Sequence, residues 1–433
     1  MTTPSDIWEG LLPKTETQAL SFLSQFPHFD GRGVVVGVLD TGVDPGAIAL
    51  LQTSTGQPKV IDIIDCSGSG DVIMSGPTLA VEGTVTTTDG RRLTINPDWV
   101  NPTGLFRVGI KRAFELYPRG LKERVLEERR KDFDRQQREV RYITTVLHTS
   151  PSYLPIPQTE LELSKQLAAA TGEAVEELKA ELALLKALEK DFDDCGPVYD
   201  CLTFHDGDRW WAVVNTSEDD EATQHCSPMT DFRAHRQFQR FSNVDALNFC
   251  VNVYDEGATL SICVDCGAHG SHVAGIIGCF HEAGSVLNGV APGCQIVSLK
   301  IGDSRLGSME TGQSLVRGIN EAVKRGCHIV NMSYGEGVSL DDQGYFVRLA
   351  EDMVINHDIV FVASAGNNGP ALSTVGAPGG TSSCIIGVSA YVTQSMMTAA
   401  YQMMETTPST NYTWSSMGPC IDGDLGNLEF VFK

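Results

Sequence analysis

At 433 residues, with 42% hydrophobic and 20% charged positions, the chain is long enough for two or three domains and carries enough apolar material for a true core, which excludes a disordered polymer. A formal net charge of -23 argues against nucleic acid or an anionic membrane as the main partner, since both need a basic surface, and leaves a cationic group as the easier guest. Twelve cysteines are scattered without a dense disulfide framework and read as reduced thiols of a cytoplasmic protein; residues 1–10 lack a secretory signal pattern, and no apolar run approaches the roughly 20 residues needed to span a bilayer.

A short amphipathic patch over residues 19–26 precedes Gly31-Arg32-Gly33, which breaks the chain before an apolar run at 34–39. That run is apolar on both faces, as a central strand of a parallel sheet must be, and it ends in Asp40-Thr41-Gly42, where a sheet of this kind places its ligands. A second strand is expected at 59–64, followed by a Ser-Gly loop. From residue 71 to 254 the texture shifts to prolines and turns, then to charged helical stretches at 121–140 and 159–191, then to hairpins at 201–214 and 249–264. The expected organisation is therefore residues 1–70 as the first part of an α/β domain, 71–254 as an inserted α+β module, and 255–433 as the second part. The leucine stripe Leu178, Leu182, Leu185, Leu188 is read as helix packing, with an oligomer seam as the alternative.

Gly267-Ala268-His269-Gly270-Ser271-His272 opens a helix of small apolar residues, with His269 presented at its first turn and His272 expected to pack one turn on. A core histidine is the plain reading of His269 taken alone, and a general base is the functional one. Beyond it, strands at 295–301, 327–333, 359–365 and 384–388 alternate with helices at 311–325 and 344–356, the pattern of a doubly wound, mostly parallel sheet. Three loops follow the carboxyl ends of strands: Asp40-Thr41-Gly42, Ser333-Tyr334-Gly335 and Ala365-Gly366-Asn367-Asn368-Gly369. An aspartate can fix the tautomer of a histidine, and an asparagine amide can donate to an oxyanion.

Asp40-Thr41-Gly42, His269-Gly270-Ser271-His272-Val273-Ala274-Gly275, Asn288-Gly289-Val290-Ala291-Pro292-Gly293, Ser333-Tyr334-Gly335 and Ala365-Gly366-Asn367-Asn368-Gly369 together resemble the subtilisin-type serine peptidases. The resemblance implies that Asp40 orients His269, that His269 is the general base, that Asn367 is the oxyanion donor, and that Ser333, Tyr334 and Gly335 line the bound peptide backbone. His269 follows Asp40 by more than half the chain, and this large insert is similar to that of the tripeptidyl-peptidase II family. That family removes tripeptides from free amino termini in the cytoplasm, needs no cofactor or metal, and forms large homo-oligomers; Glu310 and Glu336 match the acidic positions that hold the substrate ammonium.

The family's nucleophile sits in a Gly-Thr-Ser-Met segment opening a later helix, and none occurs here; Gly380-Thr381-Ser382-Ser383 precedes an expected strand and is a decoy. The catalytic fold is thus expected to be incomplete at its carboxyl end, with a substituted terminus after residue 427, and the chain to be inactive as it stands. An inactive subunit serving only in assembly is the alternative. Two other chemistries fit poorly: an aspartic peptidase needs a second Asp-Thr-Gly, and a metal at Cys263, Cys266 and His269 lacks a fourth ligand.

Overall fold

The computed structural model describes residues 11–148, 194–217, 219–337, 344–380, 382–420 and 431–432. The helical stretch expected at 159–191, with its leucine stripe, lies outside the described residues.

A seven-stranded sheet forms the centre: β1 (Val35–Asp40), β2 (Val60–Asp65), β3 (Gln295–Lys300), β4 (Ile329–Met332), β5 (Val360–Ser364), β6 (Ile385–Ser389) and β7 (Val431–Phe432), in the spatial order β2-β3-β1-β4-β5-β6-β7. Every adjacent pair is parallel. Helix α1 (His269–Gly278) covers one face, while α2 (Gly312–Lys324) and α3 (Tyr345–His357) cover the other. This two-sided cover explains the unbroken apolar run of β1. Val36 and Val38 pack with Ala274 of α1, whereas Leu39 packs with Ile319 of α2 and Ala350 of α3. Because side chains alternate along a strand, Asp40 has the parity of Val36 and Val38 and faces the α1 side.

Two four-stranded antiparallel sheets, and several two-stranded ones, accompany the central sheet among the described residues. Asp71–Ile73, Thr259–Cys263, Asn248–Tyr254 and Gln239–Arg240 form the first, and it leads directly into α1. Thr78–Leu79, Leu105–Arg112, Val198–His205 and Trp210–Asn215 form the second, over a separate core that includes Val85, Leu93, Phe106, Leu202 and Val213.

The chain divides into two compact units: residues 1–111, 115–118 and 198–433 in one, residues 112–114 and 119–197 in the other. The stretch 71–254, expected as a single module, therefore spans both, and its flanking strands belong to the larger unit. The smaller unit is represented chiefly by the helix Arg119–His148, whose exposed start is lined with ion pairs Arg119–Glu123, Arg124–Glu128 and Glu127–Lys131 one turn apart. All twelve cysteines are free thiols, and no described helix is long and apolar enough to cross a membrane.

Candidate active site

The carboxyl end of β1 and the first turn of α1 are fastened to each other by short hydrogen bonds between side-chain hydroxyls and backbone groups. Thr41 Oγ1 donates to Gly267 O at 2.7 Å and accepts the Gly270 N–H at 2.8 Å. It thereby caps a helix whose own N-cap, Ala268, has no side-chain oxygen to offer. Cys266 N donates to Thr41 O at 2.8 Å, and Asp44 N donates to Ser271 Oγ at 2.8 Å. Gly270 is required at this approach, since a Cβ built on it would stand 2.3 Å from Gly42 O. Gly270, Ala274 and Gly278 make up the buried stripe of the helix, which explains its small residues.

This fastening brings Asp40 Oδ1 to 2.7 Å from His269 Nδ1. Asp40 is fully buried, and its Oδ1 also accepts the Thr41 N–H at 2.7 Å, while its Oδ2 is buried without a hydrogen-bond partner among the described residues. A carboxylate can only accept, so Nδ1 carries a proton, and in the neutral ring the lone pair is then on Nε2. The imidazole side chain is 53% exposed, so His269 is not the satisfied core histidine of the plain reading. A neutral imidazole oriented by a buried carboxylate, with its other nitrogen basic, is the base half of a nucleophilic triad.

The remaining expected residues surround this pair at different removes. Tyr334 stands edge-on to the His269 ring, with centroids 6.5 Å apart at 80°. Burial first, then the charges of Cys266, Asp40 and Glu310, push its phenol above the ordinary value. Ser333 accepts from Asn331 Nδ2 at 3.1 Å, and a Cβ on Gly335 would meet Ala377 O at 2.6 Å. Glu336 is exposed on the short strand Glu336–Gly337, which pairs with Gly376–Ala377. Glu310 is half-buried on Met309–Glu310, which pairs with Gly302–Asp303.

Asn367 is exposed in the loop after β5, and its side-chain amide makes no hydrogen bond among the described residues. Its loop is anchored from behind: Ser416 N donates to Gly366 O, Ser416 Oγ accepts from Asn368 N, and Gly369 N donates to Trp414 O, each at 3.0 Å. No hydrogen bond or ring contact joins Asn367, Glu310 or Glu336 to His269 among the described residues.

Some features differ from the sequence expectation or escape it. His272, expected to pack, is exposed, because the buried stripe of α1 runs through the glycines and alanine. Cys266 Sγ approaches Gly302 O at 3.4 Å, Cys263 Sγ approaches Ser261 O at 3.9 Å, and His269 Nδ1 is held by Asp40. Among the described residues no group of three or more ligating side chains gathers for a metal. Ser382 and Ser383 lie in the turn that leads into β6; Thr381 lies outside the described residues.

Sequence reasoning missed a buried pair on the same sheet edge, Lys300 Nζ–Asp65 Oδ2 at 3.4 Å, with Ser69 Oγ 2.7 Å from the ammonium. Burial opposes the charged form of Asp65, but Lys300, Ser67, Ser69 and the Gly70 N–H outweigh it and lower its pKa. Charged residues ending apolar strands were the available signal. Asp265, which touches the Gly42 turn, is also unassigned by the sequence; burial and the Asp44 charge raise its pKa to about 6.

With this geometry in hand, comparison with known proteins is decisive for the family: the model of the subtilase family matches residues 31–427. The chain belongs to the subtilase family. This subtilase is 45% identical to tripeptidyl-peptidase 2 of Oryza sativa subsp. japonica, over 98% of its own length and 31% of that protein's. It is 36% identical to tripeptidyl-peptidase 2 of Drosophila melanogaster, over 96% of its length and 29% of the relative's. Among solved structures, that of tripeptidyl peptidase 2 superposes with a TM-score of 0.69 at 32% identity, covering 95% of this chain and 31% of the other. The subtilase thus spans about a third of the length of the relatives it matches, and its α/β sheet is the fold they share.

Proposed function

We propose that this chain carries the base and oxyanion portions of a serine-type aminopeptidase that releases tripeptides from free peptide amino termini, as its relatives' name describes. The observation that carries the reading is the 2.7 Å bond between His269 Nδ1 and the fully buried Asp40. In the working site Asp40 stabilises the imidazolium formed when His269 takes a serine proton. Asn367 donates its amide to the carbonyl oxygen as that oxygen gains charge. The peptide backbone lies along Ser333, Tyr334 and Gly335, and Glu310 and Glu336 receive the substrate ammonium, so that a charge-assisted contact at fixed reach sets the cut after the third residue.

Since no Gly-Thr-Ser-Met segment stands among the 433 residues, the chain by itself binds peptides and does not cleave them; this feature also favours a second reading, an inactive partner in a homo-oligomer.

Incubation of the purified chain with a chromogenic Ala-Ala-Phe substrate and a serine-directed fluorophosphonate is expected to give neither turnover nor labelling, and either one refutes the absence of a nucleophile. Calorimetric titration with free and acetylated Ala-Ala-Phe peptides tests the binding role. Tighter binding of the free amine, lost in Glu336→Gln, supports the aminopeptidase reading; no peptide binding at all supports the assembly reading.

A further inference from the structure

Gly302, Ser308, Tyr334 and Cys266 meet in a knot whose mutual contacts play no part in the proposed function. Ser308 adopts φ +73°, a left-handed conformation that a residue with a Cβ rarely keeps. Such a conformation persists only where the surroundings hold it, and here three contacts do. Ser308 N donates to Asp303 O at 2.9 Å, Ser308 Oγ donates to Cys266 O at 3.0 Å, and the Tyr334 hydroxyl donates to Ser308 O at 3.1 Å.

All of this closes over Gly302. A Cβ there would stand 2.9 Å from Cys266 Sγ, 2.9 Å from the Tyr334 hydroxyl oxygen and 3.0 Å from Ser308 O. The knot therefore joins three segments: the turn that carries Glu310 two residues after Ser308, the loop that carries His269 three residues after Cys266, and the Ser333-Tyr334-Gly335 segment. Its tyrosine ring is the one that stands against His269.

We propose that Tyr334 is a positioning residue: its hydroxyl, by pinning the strained Ser308, fixes the reach between Glu310 and His269 and so sets the length of peptide removed. The inference rests on the reading of Glu310 as the ammonium anchor. Two strained or crowded positions, Ser308 and Gly302, meet at one place. The contact that holds them comes from the segment along which the peptide lies. Loosening the hydroxyl contact lets the Glu310 turn relax while leaving the sheet, and the ring beside His269, in place.

Tyr334→Phe removes only that hydroxyl. Calorimetry with free and acetylated Ala-Ala-Phe peptides should show the preference for the free amine falling by about tenfold, the scale of a charge-assisted hydrogen bond put out of line. The affinity for the acetylated peptide should fall by less than that for the free amine, whereas general damage to the groove lowers both alike. Ser308→Gly takes the left-handed conformation without strain and keeps the carbonyl that the Tyr334 hydroxyl holds, so it should retain both the preference and the thermal stability, and a loss of preference as large as that in Tyr334→Phe would count against the hydroxyl as the pin.

Hydrogen exchange at the Ser308 amide supplies a readout independent of peptide binding, and it should accelerate by about tenfold in Tyr334→Phe. Unchanged preference with unchanged exchange overturns the proposal. A wild-type chain with no preference for the free amine overturns the anchor reading itself, and in that case unchanged exchange still refutes the pin while accelerated exchange retains it as a structural clamp only.

Discussion

The contact between α1 and the Asp40 loop can be tested by adding a single methyl group. In Gly270→Ala the new Cβ would lie 2.3 Å from Gly42 O and 3.1 Å from both Gly42 C and Gly42 N. All three are backbone atoms, so no flexible side chain can yield, and the helix or the loop must move by several tenths of an ångström. Overpacking of this kind costs about 1–3 kcal/mol, and the better helix propensity of alanine returns about 1 kcal/mol. The balance is a net loss of up to about 2 kcal/mol, which at about 1 °C per kcal/mol for a chain of this length is a fall in melting temperature of up to about 2 °C.

Gly275→Ala is the internal control, because it lies in the same helix and no heavy atom comes within 4 Å of its added Cβ. There only the propensity gain of about 1 kcal/mol remains, and the melting temperature should rise. Differential scanning calorimetry reads the two signs. Proton NMR of the imidazole Nδ1–H reports whether the 2.7 Å bond to Asp40 survives. A Gly270→Ala protein that melts at or above the wild-type temperature and keeps its low-field Nδ1 proton would refute the close approach.

Two further substitutions test the charges near the site. Asp265 has its pKa raised to about 6 from 3.8. The folded chain therefore holds a proton that the unfolded chain releases between about pH 4 and pH 6, and stability falls as pH rises through that window. Asp265→Asn should remove this loss, raising stability at pH 7–8 by roughly 3 kcal/mol at most and by nothing below pH 4; a gain that is the same at both pH values contradicts the assignment. Lys300→Met strands the buried Asp65 carboxylate and should cost about 3–5 kcal/mol at pH 7. Since the folded pKa of Asp65 is lowered, its contribution is present above the unfolded value and fades as pH falls through the folded one. The gap between wild type and Lys300→Met in urea melts should therefore narrow on acidification, and a gap independent of pH would count against the pair.

Much of the central sheet was legible because its physics is local. The apolar run ending at Asp40 needed two covered faces, and the alternating strands and helices beyond His269 differ in period, so β1, β3 to β6, α2 and α3 lie within a residue or two of their expected places. The motifs likewise named Asp40 and His269, since Asp-Thr-Gly and a glycine-rich helix start are short-range signals. The limits of the inserted region were less legible. Strands Asp71–Ile73 and Asn248–Tyr254 read as part of a module by composition, yet they pair through Thr259–Cys263 in one sheet, and pairing partners far apart in sequence leave no mark on either strand alone.

By itself, then, the sequence determined a parallel α/β sheet and the identities of an aspartate, a histidine and an asparagine at its loops. Only the tertiary structure decided that Asp40 and His269 touch, because that depends on strand parity, on the cap from Thr41 and on the absence of a Cβ at Gly270. It also decided that Ser308 is strained and held by Tyr334, and that Lys300 answers Asp65 within the core. Contacts between segments tens to hundreds of residues apart follow from how the layers close on one another, a property that no local pattern contains.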